Sequence, residues 1–210
     1  MATSRFRDRA DAGEQLGEAL LERGVEADLV LAIPRGGLPL GRAVADALDA
    51  PLDIAVASKI GAPGNPEYAI GAVASDGTVW RNESAIRGTS ADEAYFERER
   101  QAEMAVAREK AKTYRAGRPE PQLAGKTVVL VDDGVATGST IRACLAMLDE
   151  ADTDRIILAV PVGPPDTIRE LRSAADEVIC LQEPTSFMGV GQFYERFDQV
   201  TDEEAMAYLS

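Results

Sequence analysis

The chain has 210 residues, 45% of them hydrophobic, which suffices for one sizeable buried core. A formal net charge of -14 argues against a surface that holds nucleic-acid backbone, and the absence of histidine removes imidazole as general base or metal ligand. No apolar run approaches a membrane span, the arginine-rich stretch 1–10 lacks a hydrophobic signal segment, and the two cysteines, Cys144 and Cys180, lie in apolar contexts, so a cytoplasmic protein with buried thiols is expected.

In chain order, residues 8–23 set Ala12, Leu16, Ala19 and Leu20 at helical spacing, with Gly24 as the stop. Arg5, Arg7 and Arg9 in front read as a solvated arm, with contact to an anionic ligand or another subunit as the alternative. Residues 28–33 (D-L-V-L-A-I) read as a buried strand that runs into Pro34-Arg35-Gly36-Gly37 and a helix over 38–48. A strand, glycine turn and helix start gather free amides and the positive helix end, which suits an anion. Residues 52–57 read as a third strand, which puts Lys59 at its C-terminal end. Residues 61–67 are too rich in glycine and proline for regular structure, whereas 68–74 and 78–81 read as a hairpin around Asp76-Gly77. Residues 90–115 form an exposed, ion-paired helix or a subunit contact, and 118–121 a linker.

The most informative stretch is Lys126 to Thr140, K-T-V-V-L-V-D-D-G-V-A-T-G-S-T. A β-branched strand ends in Asp132 and Asp133; small residues and hydroxyls follow, and 141–148 read as an amphipathic helix. The small residues let the backbone close on a phosphate, and Thr137, Ser139 and Thr140 add hydroxyl donors. The two acids repel a phosphate; they suit a sugar's vicinal hydroxyls or a divalent cation. A P-loop does not fit, because Gly134 to Gly138 is one residue short and no lysine follows, and G-x-G-x-x-G is absent. Residues 155–160 read as a strand closed by Pro161, 167–174 as a helix, 177–181 as a strand and 202–209 as a last helix. Aromatic and glycine residues interleave from Phe187 to Tyr194, a composition able to stack a planar base. Strands alternating with helices predict a doubly wound, mainly parallel α/β sheet.

The Asp132–Thr140 stretch, with its preceding apolar strand, resembles the 5-phosphoribosyl 1-pyrophosphate (PRPP) motif of type I phosphoribosyltransferases: four apolar residues, two acids, small residues, then T-G-x-T. The resemblance implies one phosphoribosyltransferase domain over 1–210, with a mobile loop and hairpin at 60–81, a helical insertion at 82–118 and a C-terminal hood segment at 182–210. It implies that Asp132 and Asp133 hold the ribose hydroxyls and stabilise a cationic sugar, and that Gly134, Val135, Ala136, Thr137, Gly138, Ser139 and Thr140 cradle the 5′-phosphate. Arg35, Gly36, Gly37 and Lys59 would receive pyrophosphate, after a cis Pro34–Arg35 peptide. Magnesium would arrive on the substrate, with no direct protein ligand. Purine-using relatives carry F-x-V-G-x-x-x-D near the base; here Phe187, Val190 and Tyr194 stand in that region, with the spacing one residue longer and Glu195 in place of the acid. Enzymes for 6-oxopurines usually have aspartate at Ala136, which weakens that assignment. The implied partners are PRPP, a nitrogenous base as in nucleotide salvage, and a second copy in a homodimer; nucleic acid and membrane are not expected. The alternatives are a PRPP-sensing regulator on the same fold, and hydrolysis or phosphorolysis of a ribosylated compound.

Overall fold

The computed structural model describes residues 5–210; the start of the arginine-rich stretch, residues 1–4, lies outside the described residues. Five parallel strands form the main sheet: β1 (Leu29–Ala32), β2 (Leu52–Ile54), β6 (Thr127–Val131), β7 (Arg155–Val162) and β8 (Glu177–Gln182). Their order is β2-β1-β6-β7-β8. The chain moves outward one way from β1 and the other way from β6, so the order reverses between these two strands. At such a point two strand-to-helix loops splay apart at the C-terminal strand ends and leave a crevice.

The sheet is buried on both faces, and residue alternation assigns each face. Leu29, Leu31, Val128, Leu130, Ile156 and Leu158 pack beneath α5 (Ser139–Glu150) and α6 (Pro165–Leu171). Val30, Val129, Val131, Ile157 and Ala159 pack beneath α1 (Arg9–Glu22) and α2 (Gly37–Ala47). The expected doubly wound architecture is therefore present.

A second, antiparallel sheet joins β3 (Ala57–Ala62), β4 (Asn65–Ala74) and β5 (Val79–Arg81), with its own core of Ile60, Ile70, Val73 and Phe96. The expected hairpin around Asp76-Gly77 is the β4–β5 turn. Two expectations are corrected next to it. The 52–57 strand is divided: β2 stops at Ile54, and Lys59 lies inside β3 rather than at the end of a core strand. Residues 61–67 are not irregular, because β3 and β4 pair through them and turn at Pro63-Gly64. After α3 (Glu83–Arg87), the long helix α4 (Glu93–Arg115) spans the charged stretch and packs against β3. Pro161 lies within β7 instead of closing it.

Residues 187–194, with a 3₁₀ turn at Val190–Phe193, pack on the α1/α2 face of the parallel sheet. The last helix, α7 (Asp202–Ala207), joins Tyr114 and Ala111 of α4 through Ala205, with Leu209 just beyond it, away from the antiparallel sheet core. Among the described residues, no helix is long and apolar enough to cross a membrane. Cys144 is buried, Cys180 half-buried, and both are free thiols; burial raises the latter's pKa to about 12.

Candidate active site

The loops after β1 and β6 fill the crevice. After Val131 the chain passes through Asp132 and Asp133, and the Asp133 amide donates to Asp132 Oδ1 at 2.9 Å. The Val135 amide donates to the Val162 carbonyl at 2.9 Å and pins the loop to β7. The Thr167 hydroxyl donates to the Ala136 carbonyl at 3.1 Å. Gly138, at φ +73, turns the chain into α5 without a side-chain cap, so the first amides of a 12-residue helix stay available. Thr137 Oγ1 and Ser139 Oγ lie 3.3 Å apart. The result is a cup of about 180 Å³ lined by Asp132 and residues 134–141. Its amides, hydroxyls and positive helix end suit a phosphate.

The β1 loop lies directly against the acid pair. The Ile33 amide donates to Val131 O at 2.9 Å, and the Pro34–Arg35 peptide is cis, as expected. A methyl on Gly36 would stand 2.0 Å from Asp133 Oδ2, and one on Gly37 would stand 2.8 Å from Val131 O. Only glycine permits this approach, which explains the R-G-G sequence. Arg35 Nη1 lies 3.5 Å from Asp202 Oδ1, and Lys110 Nζ of α4 donates to the Pro34 carbonyl at 3.3 Å. Arg35, Lys110, Asp202 and Tyr114 line a cleft of about 470 Å³, with Glu109 also in its wall. Burial lowers the Lys110 pKa, and the Arg35 charge lowers it further. Two partly desolvated cations beside one loop suit an anion carrying several charges.

Burial pushes the Asp132 carboxyl well above the usual range, and the neighbouring Asp133 pushes it the same way. Burial also raises Asp133, but the Arg9 guanidinium opposes that shift. Arg9 Nε donates to Asp133 Oδ2 at 2.8 Å. The Tyr194 hydroxyl donates to the Asp133 carbonyl at 2.7 Å.

The other sequence-chosen residues are more dispersed. Lys59 pairs with Glu67 Oε2 at 3.0 Å, within the β3–β4 hairpin. The Phe187 ring stacks on Phe193 at 5.5 Å. Val190 covers Gly134, where an added methyl would meet Val190 Cγ1 at 2.6 Å. Tyr194 is buried, its ring 5.5 Å from Phe6 and 4.9 Å from Phe197. Glu195 is exposed.

Sequence reasoning missed two cations. Lys110 sits in a charged helix that suggested only a solvated or subunit-facing surface, and nothing in its local pattern separates it from its neighbours. Arg9 reads in the sequence like Arg5 and Arg7; what distinguishes it is its place at the first position of a helix capped by Asp8.

A family model described as a phosphoribosyl transferase domain matches residues 8–197. The chain belongs to the phosphoribosyl transferase family. Its fold is the type I fold of that family, and the cup is formed by the stretch whose sequence resembles the family's PRPP motif. A Mycobacterium tuberculosis protein provisionally named a phosphoribosyl transferase is 41% identical over 204 residues, covering 97% of this chain and 46% of that protein. The chain thus spans about half the length of this curated relative. The crystal structure of TT1426 from Thermus thermophilus is 44% identical and covers 98% of this chain and 97% of that one, with a TM-score of 0.84. The AQ2163 protein of Aquifex aeolicus, 14% identical with a TM-score of 0.51 over 82% of this chain and 73% of that one, shares the fold.

Proposed function

We propose that this phosphoribosyltransferase moves the 5-phosphoribosyl group of PRPP onto a nitrogenous base and releases pyrophosphate. The carrying observation is the direct contact of its two anion-suited loops, with the Gly36 backbone packed on Asp133 at the sheet's switch point. One ligand with a phosphate at one end and a diphosphate at the other, on a single ribose, matches that arrangement.

In the reaction a base nitrogen forms a bond to the anomeric carbon, while the carbon–oxygen bond to diphosphate breaks and pyrophosphate leaves with the electron pair. The sugar passes through a cationic state, as in glycoside cleavage. Asp132 and Asp133 accept from the ribose hydroxyls and stabilise that charge. Residues 134–140 anchor the 5′-phosphate. Arg35, Gly36 and Gly37 receive the pyrophosphate with Lys110 behind them, and Lys59 joins them when the β3–β4 hairpin moves inward and excludes water. Phe187 and Val190 offer the base an apolar wall, which Tyr194 supports from within the core.

Among the described residues, no group of three or more His, Cys, Asp or Glu side chains is placed to hold a metal ion. Asp132 and Asp133, two adjacent carboxylates at the crevice, are the residues that would face a magnesium ion carried in on the substrate. Bound with the substrate, such an ion would supply neutralisation of the diphosphate charge.

The test is pyrophosphate release from PRPP and magnesium across a panel of purine and pyrimidine bases, with Asp133→Asn as the control. Release with one or more bases, lost in Asp133→Asn, supports transfer. Tight PRPP binding without release in any mixture would instead make the chain a PRPP sensor, and no PRPP binding would overturn both readings.

A further inference from the structure

Arg7 and Arg9 lie two residues apart at the start of α1 but behave differently. Arg7 bonds Asp11 on its own helix at 2.8 Å with its side chain 67% exposed, an ordinary (i, i+4) surface pair. Arg9 leaves the helix surface: its side chain is 12% exposed and has three partners from distant parts of the chain. Nε donates to Asp133 Oδ2 at 2.8 Å, and Nη1 donates to the Asp198 carbonyl at 2.6 Å. The guanidinium carbon stands 3.8 Å from the centroid of the Phe197 ring.

This placement is built by a seam between residues 6–9 and 193–198. The Phe6 amide donates to Phe193 O, the Glu195 amide to Phe6 O and the Arg196 amide to Arg7 O. The Arg196 side chain donates to Asp8 Oδ2 at 2.6 Å. The seam therefore brings one guanidinium to one oxygen of the acid pair. That oxygen, Oδ2, is also the atom nearest a methyl on Gly36, so it is covered from a second side. Of the two carboxylate oxygens of Asp133, Oδ1 stands farther from that methyl, at 3.3 Å, and is the one Arg9 does not hold. A buried carboxylate that loses its cation is left uncompensated and free to turn.

We propose that Arg9 is a positioning residue of the phosphoribosyl site: fixed by Phe197 and Asp198, it holds Asp133 Oδ2 aside and presents Oδ1 to the ribose diol. The inference rests on the phosphoribosyl reading above and assigns residues 6–9 and 193–198 a part in sugar recognition.

The experiment compares binding of ribose 5-phosphate and of inorganic pyrophosphate, with magnesium, by titration calorimetry on the full chain. Arg9→Gln is expected to weaken ribose 5-phosphate about tenfold, the scale of one charge-assisted hydrogen bond, and to leave pyrophosphate affinity unchanged. Arg9→Lys restores part of the loss. With Asp133→Asn already present, Arg9→Gln has little further effect, because the two act as one unit. A structural role would weaken both ligands alike and add to Asp133→Asn; that outcome overturns the proposal, as do unchanged or tighter ribose 5-phosphate binding. If Arg9→Gln does not fold, Phe197→Leu carries the test: a smaller loss confined to ribose 5-phosphate supports the proposal, and any other pattern overturns it. A wild-type chain that binds neither ribose 5-phosphate nor PRPP refutes the phosphoribosyl reading itself, and this inference with it. A wild-type chain that binds both, with unaltered variants, refutes only the role of Arg9.

Discussion

Asp132, which the proposed function places at the ribose hydroxyls, is desolvated beside a second acid. Burial and the Asp133 charge hold its proton more tightly in the folded chain than in the unfolded one. A carboxyl of this kind favours the folded state at low pH, and that contribution is lost as pH rises from the ordinary aspartate value toward the raised one. Asp132→Asn is therefore expected to raise the melting temperature near neutral pH, by roughly 2–4 °C for each kcal/mol recovered. The gap between variant and wild type should close as pH falls toward about 4, the unperturbed aspartate range. Differential scanning calorimetry at the two pH values checks this; a variant equally stabilised at both would contradict the buried-acid account. Gly36 tests geometry in the same way. Its alanine variant would bring a methyl within 2.0 Å of Asp133 Oδ2, so PRPP binding should fall at least tenfold. Calorimetric titration reads that loss, and unchanged affinity would mean the loop opens freely.

At the scale of the element, α4 is more than a charged surface helix. It delivers Lys110 to the Pro34 carbonyl, with the amine partly desolvated beside Arg35. Lys110→Met is expected to weaken pyrophosphate binding about tenfold while leaving inorganic phosphate in the cup unaffected. In the wild type, pyrophosphate affinity should begin to fall at a pH below the ordinary lysine value, because the lowered pKa discharges the amine early; a flat profile up to that value would refute the assignment. The same scale shows what the sequence makes legible. The strands β1, β6 and β7 read as continuous apolar runs because both their faces are buried. The D-D-x-x-x-T-G-x-T pattern marks its loop because backbone closure and hydroxyl donors need those residue types together. The β3–β4 hairpin was hidden for a physical reason. A methyl on Gly61 would stand 2.6 Å from the Pro66 backbone, so this glycine serves close cross-strand approach at a register shift, although its composition suggests irregular chain. Arg9 and Lys110 were obscured because their partners lie 124 and 76 residues away, where no local periodicity reaches.

The whole molecule carries a net charge of -14 yet is proposed to take a highly anionic substrate. The conflict is settled by distance. At physiological ionic strength charges are screened beyond about 8 Å, so Arg35 and Lys110 set the field in the crevice while the remote acids act mainly on each other. That mutual repulsion opposes compaction. Raising sodium chloride from about 0.05 to about 0.5 M is expected to raise the melting temperature, and thermal unfolding across that series would show it. A falling melting temperature would mean that the surface ion pairs, such as Arg7–Asp11 and Arg81–Glu93, outweigh the repulsion.

The seam between residues 6–9 and 193–198 turns the acid pair into something that can be watched from outside. Three amides, those of Phe6, Glu195 and Arg196, are bonded across it, and their deuterium uptake records how often the two segments part. On the proposed role of Arg9, a sugar phosphate that engages Asp133 would tighten the same join. Slower uptake at these three positions would therefore report occupancy without a label in the crevice.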